Sequence, residues 1–280
     1  MYKILHCEQI VPNFHMMEFQ VPWSVSKIKP GQFVIVMSDQ KAERIPFTIA
    51  DWDVEKNSVT IIFMVAGWST KRLAKLKSGD ELSHVAGPLG MPTKIEKVGH
   101  VVLAGGCYGI GGIYPIARSM KEAGNTVTIM IEGRDEIMLY WRDKLRTVAD
   151  EMYLATSDGT FDIDGKMSFH GHGWGILREL TDGGKKFDHV HAIGCTFMMY
   201  MFAQITQKLG VPCMVALNPI MLDGTGMCGC CRVSVAGKTK FACVDGPEFD
   251  AHQIDWQELF NRKTIYADEE VDSYKATPSI

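Results

Sequence analysis

The sequence predicts three successive parts: an all-β barrel, an α/β unit built on a parallel sheet, and a short cysteine-bearing appendage. Three observations carry this. Up to about residue 98, short apolar or alternating runs are separated by turn residues. From His100 onward, strands alternate with helices. Four of the eight cysteines then fall between positions 228 and 243. The boundaries that follow are 1–98, 99–217, 218–250 and a tail over 251–280.

In the first part, Tyr2–Ile10, Met16–Val21, Gln32–Met37, Phe47–Asp51 and Val59–Met64 read as strands. Pro22, Lys29-Pro30-Gly31 and Asp53–Ser58 separate them. Closely spaced short strands of this kind close into a small barrel. One helix is expected at Ser69–Lys77, ended by Ser78-Gly79-Asp80. Gly87-Pro88-Leu89-Gly90 reads as a tight turn leading out.

In the second part, Val101–Ala104 is a buried strand, Gly105–Gly112 a glycine-rich turn, and Ile113–Ala123 a helix stopped by Gly124-Asn125. Thr126–Ile131 is a strand, Asp135–Asp150 a helix and Glu151–Ala155 a strand. Gly175–Leu180 and Phe197–Leu209 are helical, and His189–Ile193 and Cys213–Leu217 complete the strands. Such alternation implies a parallel sheet with ligands at the strands' C-terminal ends. Thr156–Trp174 carries His170 and His172 among glycines and polar residues, and reads as a solvated loop with a His-x-His metal site as the alternative. In the third part, Cys231–Val235 and Lys240–Val244 form a hairpin around Gly237, and the tail from Asp250 is mixed polar sequence.

The cysteines carry the sharpest chemical signal. Asp223-x4-Cys228-x2-Cys231-x11-Cys243 matches the plant-type [2Fe–2S] spacing with an aspartate in the first slot. Gly224, Gly226 and Gly229 supply the bends that let several donors from one loop converge. A zinc site is the rival, since zinc ribbons also use C-x2-C; only one such pair is present here, Cys228 with Cys231. Structural cysteines without a metal are the third reading. Cys230 offers an all-cysteine alternative to Asp223, although the spacing favours Asp223, Cys228, Cys231 and Cys243.

Four other stretches suit ligands. Along Arg44-Ile45-Pro46-Phe47-Thr48-Ile49 a guanidinium can meet a diphosphate while a hydroxyl faces a ring; an exposed barrel arginine is the plainer reading. Gly67, Ser69 and Thr70 open the one helix of the barrel and suit phosphate, a role compatible with ordinary N-capping. Gly106, Gly109, Gly111 and Gly112 follow a strand and open a helix, the context of a dinucleotide turn, although they lack a clean G-x-G-x-x-G. At the end of the next strand, Glu132 suits the ribose hydroxyls of NAD(H) and Arg134 the extra phosphate of NADP(H), which leaves the preference open. Gly194 and Cys195 sit at a strand end where a nicotinamide or flavin edge belongs, with a buried structural cysteine as the alternative.

Composition bounds the rest. The 280 residues are 46% apolar, enough for two cores, and the formal charge of −4 points to no nucleic-acid partner. No run of about 18 apolar residues suggests a membrane span. The absence of an apolar leader, together with the thiols, reads as cytoplasmic. Many of the 17 methionines lie in apolar runs such as Phe197–Met201, where they serve as core filler.

Taken together, these residues resemble the ferredoxin–NADP+ reductase superfamily. Pro30-Gly31-Gln32-Phe33, Arg44-x-x-Phe47-Thr48, Gly67-x-Ser69-Thr70, Gly87-Pro88-Leu89-Gly90, the 105–112 turn and Gly194-Cys195 carry the likeness. Asn218–Arg232 and Phe241–Phe249 narrow it to the small, FAD-containing subunits of NADH-dependent reduced-ferredoxin:NADP+ oxidoreductases. Dihydroorotate dehydrogenase electron-transfer subunits are more distant in this resemblance, with cysteine where this chain has Asp223. The resemblance covers about residues 1–250. It implies an FAD-binding β-barrel, an NAD(P)-binding α/β domain and a C-terminal [2Fe–2S] subdomain. It further implies that Arg44, Phe47, Thr48, Ile49, Gly67, Ser69 and Thr70 line the flavin, with Thr48 and Cys195 nearest the chemistry. Hydride then passes from nicotinamide to FAD, and electrons leave through the cluster to a large partner subunit with its own flavin and [4Fe–4S] centres, in some complexes with electron bifurcation. The chain departs from the family pattern at Cys230, where alanine is usual, and in the histidine-bearing loop around 165–174.

Overall fold

The structure is a computed structural model that describes residues 2–163 and 166–276. They form two compact units. One comprises residues up to 92 together with 218–247 and the segment from 254; the other comprises 93–217 and 248–253.

The first unit is built on β1 (Ile4–Val11), β2 (Phe14–Gln20), β3 (Phe33–Met37), β4 (Ile45–Asp53), β5 (Ser58–Met64) and β6 (His84–Leu89), with α1 (Trp68–Leu73) between β5 and β6. The sheet runs β1-β2-β5-β4-β3-β6, antiparallel throughout. A Lys3–Glu81 bridge brings the two edges together, with Ile4 N–H donating to the Asp80 carbonyl at 2.8 Å. Alternation drives the closure: Phe19, Val34, Val36, Ile49, Val59 and Ile61 turn inward and are almost completely buried. β6 is the strand that the turn reading of 87–90 hides. Gly87 and Pro88 both lie within it, at the end of the strand order, where proline is tolerated. Gly87 is needed for close approach, because a Cβ there would lie 2.7 Å from Val34 Cγ1.

The second unit has β7 (His100–Gly106), α2 (Gly109–Glu122), β8 (Thr126–Gly133), α3 (Arg142–Arg146), β9 (Glu151–Thr156), the short pair β10 (Asp162–Ile163) and β11 (Lys166–Met167), β12 (Phe169–His170), α4 (Gly173–Asp182), β13 (His189–Ile193), α5 (Thr196–Leu209) and β14 (Cys213–Ala216). The chain then returns to the first unit through β15 (Arg232–Val235) and β16 (Lys238–Phe241). It crosses again as β17 (Glu248–Asp250) before ending in α6 (Trp256–Lys263) and α7 (Ala267–Ala276). The large sheet runs β12-β9-β8-β7-β13-β14-β17, parallel except for β17.

Several expectations are corrected. The helix expected over 135–150 shrinks to one 3-10 turn and the five residues of α3, because Trp141 takes a left-handed φ of 58°. The expected loop over 156–174 contains three short strands, one of which, β12, extends the large sheet beside β9; Gly165 lies outside the described residues. The polar tail holds two helices. α6 starts at Asp255, whose side chain accepts from Glu258 N–H at 2.9 Å, and it buries Trp256 and Leu259. Among the described residues no helix is long and apolar enough to cross a membrane.

Candidate functional site

In the first unit, the cysteine loop is seated on the barrel. Gly224 is buried at φ 82°, and a Cβ there would come within 2.8 Å of Ile35. Ile35 pairs with Pro46, and Phe33 pairs with Thr48. Pleating places Thr48 on that outer face, while Phe47 and Ile49 turn toward the core. Phe47 packs there against Phe63 at 5.5 Å. The Ile49 side chain, at 1% exposure, belongs to the barrel core, which leaves its backbone as the part that could meet a ligand. Arg44 Nη2 donates to the Asp223 carbonyl at 3.2 Å. Arg44 Nε is buried without a protein partner, a donor that an anion would satisfy. Arg44, just before β4, and Thr48 within it therefore belong to the face of the barrel on which the cysteine loop rests.

The helix α1 residues behave differently. Thr70 Oγ1 accepts from Gly67 N–H at 3.1 Å and from Ala66 N–H at 2.9 Å, which is ordinary capping. Ser69 donates to Glu43. Both hydroxyls are engaged with the protein itself. Gly67 is extended, with open space where a side chain would stand.

The four metal-donor candidates fall into an inner and an outer set. Cys231 and Cys243 are buried, and the Cys231 thiol donates to Cys243 Sγ at 3.2 Å. Burial, and then the neighbouring Cys231, push the Cys243 thiol up. Cys228 is exposed, and the Cys230 N–H favours its thiolate, pulling it below the usual thiol range. Asp223 accepts from the Thr225 hydroxyl and from Thr225 N–H at 2.9 Å, which hold its carboxyl below the usual range. Cys230 has the opposite tendency: its hydrogen bond toward Cys228 raises it. Among the described residues, no three His, Cys, Asp or Glu side chains are gathered closely enough to cage a single ion. Asp223, Cys228 and Cys231 on one glycine-bent loop, with Cys243 beyond the β15–β16 hairpin, fit the donor count of a two-iron centre.

In the second unit, the glycine turn is shorter than its sequence suggests. α2 begins at Gly109, so Gly111 and Gly112 lie inside its first turn. Gly109 packs directly on the end of β13, where a Cβ would collide with the Ile193 carbonyl. Gly106 and Gly194 both face Met198 Sδ, which an added Cβ would meet at 2.6 and 2.5 Å. Sequence reasoning missed the residue that holds this turn. Tyr140, buried just before α3, accepts from Gly111 N–H at 3.1 Å and donates to the Cys107 carbonyl at 3.0 Å. Nothing in the local pattern marks a tyrosine some thirty residues downstream of the turn as its support. Tyr108 donates to the Gly194 carbonyl at 2.8 Å, tying the ends of β7 and β13 together.

Glu132 is buried at the end of β8, and burial raises its carboxyl above the usual range. Its Oε2 accepts from Gly173 N–H at 2.7 Å, and Oε1 lies 3.5 Å from His172 Nδ1. The carboxylate expected to take ribose hydroxyls is therefore engaged with the start of α4. His172 stacks on Trp174 at 3.9 Å, and Trp174 meets Phe197 edge-on at 5.9 Å. The histidine-bearing segment thus builds an aromatic surface. Arg134 is exposed and pairs with Asp135 at 3.0 Å and with Asp158 at 3.5 Å. Cys195 is exposed rather than buried, and its Sγ accepts from Met198 N–H at 3.4 Å, capping α5.

Comparison with known proteins gives four findings of use. Residues 218–255 match the iron–sulfur cluster binding domain of dihydroorotate dehydrogenase B. The chain is 43% identical, over 90% of its length and 87% of the other's, to a Thermotoga maritima protein named as a homolog of the dihydroorotate dehydrogenase B (NAD(+)) electron transfer subunit. Its fold matches a chain of the NADH-dependent reduced ferredoxin-NADP oxidoreductase structure, solved for insight into flavin-based electron bifurcation. That match has a TM-score of 0.89 at 38% identity, and covers 98% of this chain and 97% of that one. At the level of fold alone, the chain also matches a Neisseria gonorrhoeae ferredoxin NADP+ reductase with bound FAD and NADP, at TM-score 0.60 and 16% identity over 75% of this chain and 90% of that one.

Proposed function

We propose the following role for a chain that belongs to the family of dihydroorotate dehydrogenase B electron-transfer subunits and their homologues, within the ferredoxin–NADP+ reductase superfamily. It is the electron-transfer subunit of a flavin and iron–sulfur oxidoreductase. It exchanges electrons between a nicotinamide dinucleotide and a large partner subunit that carries its own flavin and [4Fe–4S] centres, in a complex that bifurcates electrons. The observation that supports this reading is the seating of the cysteine loop on the barrel, with Gly224 against Ile35 of β3 and Arg44, just before β4, reaching the Asp223 carbonyl.

Bound FAD supplies the conversion between two-electron hydride chemistry and one-electron transfer. The chain's own residues bind and orient. Arg44 offers its buried Nε to the flavin diphosphate, and Thr48 presents a hydroxyl on the same face. Asp223, Cys228, Cys231 and Cys243 hold a [2Fe–2S] cluster, with Cys230 as a thiol donor to Cys228. The turn from Gly106 into α2, braced by Tyr140, takes the dinucleotide pyrophosphate. NAD(H) is the dinucleotide proposed, since Arg134, the cation at the end of β8, is paired with two carboxylates. No side chain is assigned as a general acid or base.

Anaerobic titration with NADH tests this. Bleaching of flavin bands followed by loss of iron–sulfur absorbance is the expected result. A colourless chain holding zinc overturns it in favour of a zinc-stabilised binding module. The match of 218–255 to the dihydroorotate dehydrogenase B domain supports a second reading, in which the same electron chemistry serves a dihydroorotate-oxidising partner. The partner that co-purifies with the native chain separates the two.

A further inference from the structure

We propose that Arg44 is a positioning residue that ties flavin occupancy to the geometry of the cluster loop; this rests on the flavin and iron–sulfur reading above. One guanidinium faces two tasks. Its Nη2 donates to the Asp223 carbonyl at 3.2 Å, while its Nε is buried with no protein acceptor. The guanidinium is a rigid plane, so an acceptor that satisfies Nε also fixes the direction in which Nη2 points. The residue it holds by the carbonyl is the same residue that offers its side-chain carboxylate as a donor to iron.

A second contact on this face is steric. Gly224 leaves no room above Ile35, where a Cβ would stand 2.8 Å from Cδ1. Ile35 is paired in the sheet with Pro46, two residues from Arg44. A steric contact to β3 and a polar contact to Arg44, the residue just before β4, therefore set the loop against this pair of adjacent strands. An anion on Arg44 stabilises the loop position that presents Asp223. Conversely, a loop locked by its cluster presents Arg44 ready for the anion. Coupling of this kind is reciprocal in binding free energy.

The test uses the whole chain, purified anaerobically with both groups, in the wild type and in Arg44→Lys and Gly224→Ala. Arg44→Lys keeps the charge but cannot span both acceptors. Gly224→Ala disturbs the steric anchor and leaves every proposed flavin-binding side chain in place. Two readouts are taken: the FAD dissociation constant by flavin fluorescence, and the g-values of the reduced cluster by EPR with and without FAD. The coupling predicts that stripping FAD from the wild type shifts the cluster's g-values, and that stripping it from Arg44→Lys shifts them no further. It also predicts that Gly224→Ala raises the FAD dissociation constant about tenfold, a coupling of ordinary size. Identical wild-type cluster spectra with and without FAD overturn the proposal, as does a Gly224→Ala chain that is folded by circular dichroism and binds FAD as the wild type does. A wild-type chain that holds neither iron nor flavin instead overturns the functional reading on which the proposal stands.

Discussion

In the loop that carries Asp223 and Cys228, Gly224, Gly226 and Gly229 sit at φ 82°, 85° and 71°. In the turn at the end of β7 and its neighbour on β13, Gly106, Gly109 and Gly194 have no such angle, but an added side chain would strike Met198 or the Ile193 carbonyl. The two glycine-rich regions look alike in sequence and answer different physical demands. The first needs left-handed backbone so that donors from one short loop converge. The second needs missing side chains so that a helix packs on a strand end. The same residue type is a conformational device in the first, where Gly224 is also a spacer against Ile35, and a spacer alone in the second.

The largest expected effect tests the donor side of that contrast. Cys231→Ser should abolish the cluster signal in EPR, while Cys230→Ala should leave it. Equal loss in both variants contradicts the assignment of Asp223 as a ligand in place of Cys230. Next come the glycines themselves. Gly109→Ala forces backbone apart from backbone and should cost about 3 kcal/mol of unfolding stability in denaturant titration. Gly226→Ala meets mainly a left-handed angle and should cost about 1–2 kcal/mol. Gly106→Ala meets the far end of a flexible methionine and should cost least of the three. A reversed order would show that the two regions do not differ as described.

Tyr140→Phe probes the spacer region from outside. It removes a hydroxyl that satisfies Gly111 N–H and the Cys107 carbonyl, with little change of shape. A loss of about 1–2 kcal/mol is expected, with weakened binding of the dinucleotide and unchanged flavin content. Unaltered NADH affinity by calorimetry would remove Tyr140 from the site.

The smallest effect is a pH dependence. Burial raises Glu132 above its ordinary value of 4.5, so the folded chain holds that proton more tightly than the unfolded chain does. Its contribution is complete below pH 4.5 and is lost as pH rises through the raised folded value. Glu132→Gln should lack this part of the slope, which a comparison of stability against pH for the two chains measures directly.

Most of the architecture was legible because it rests on local pattern. The alternation of β1 to β5 and the βαβ rhythm from His100 read directly. What escaped reading rests on tertiary context. β6 contains a glycine and a proline that imitate a turn, and only its place at the end of the sheet order explains them. The segment at 135–150 reads as one helix, but Trp141 adopts a left-handed angle that no local rule requires. Within the site, the Asp223–Cys243 spacing was visible because one loop supplies three of the four donors. The engagement of Glu132 with Gly173 was not, since the partner lies on a segment read as loop. Nor was the barrel-core placement of Ile49, whose neighbour Thr48 faces the opposite way by the pleat alone.

The central claim is that one compact unit holds both a flavin and a two-iron centre. Iron, acid-labile sulfide and flavin analysis of the anaerobically purified chain, with EPR of the reduced protein, tests it most directly. About two irons, about two sulfides and about one FAD per chain are predicted, with the rhombic signal of a reduced [2Fe–2S] cluster. Zinc in place of iron, or iron without flavin, would contradict it.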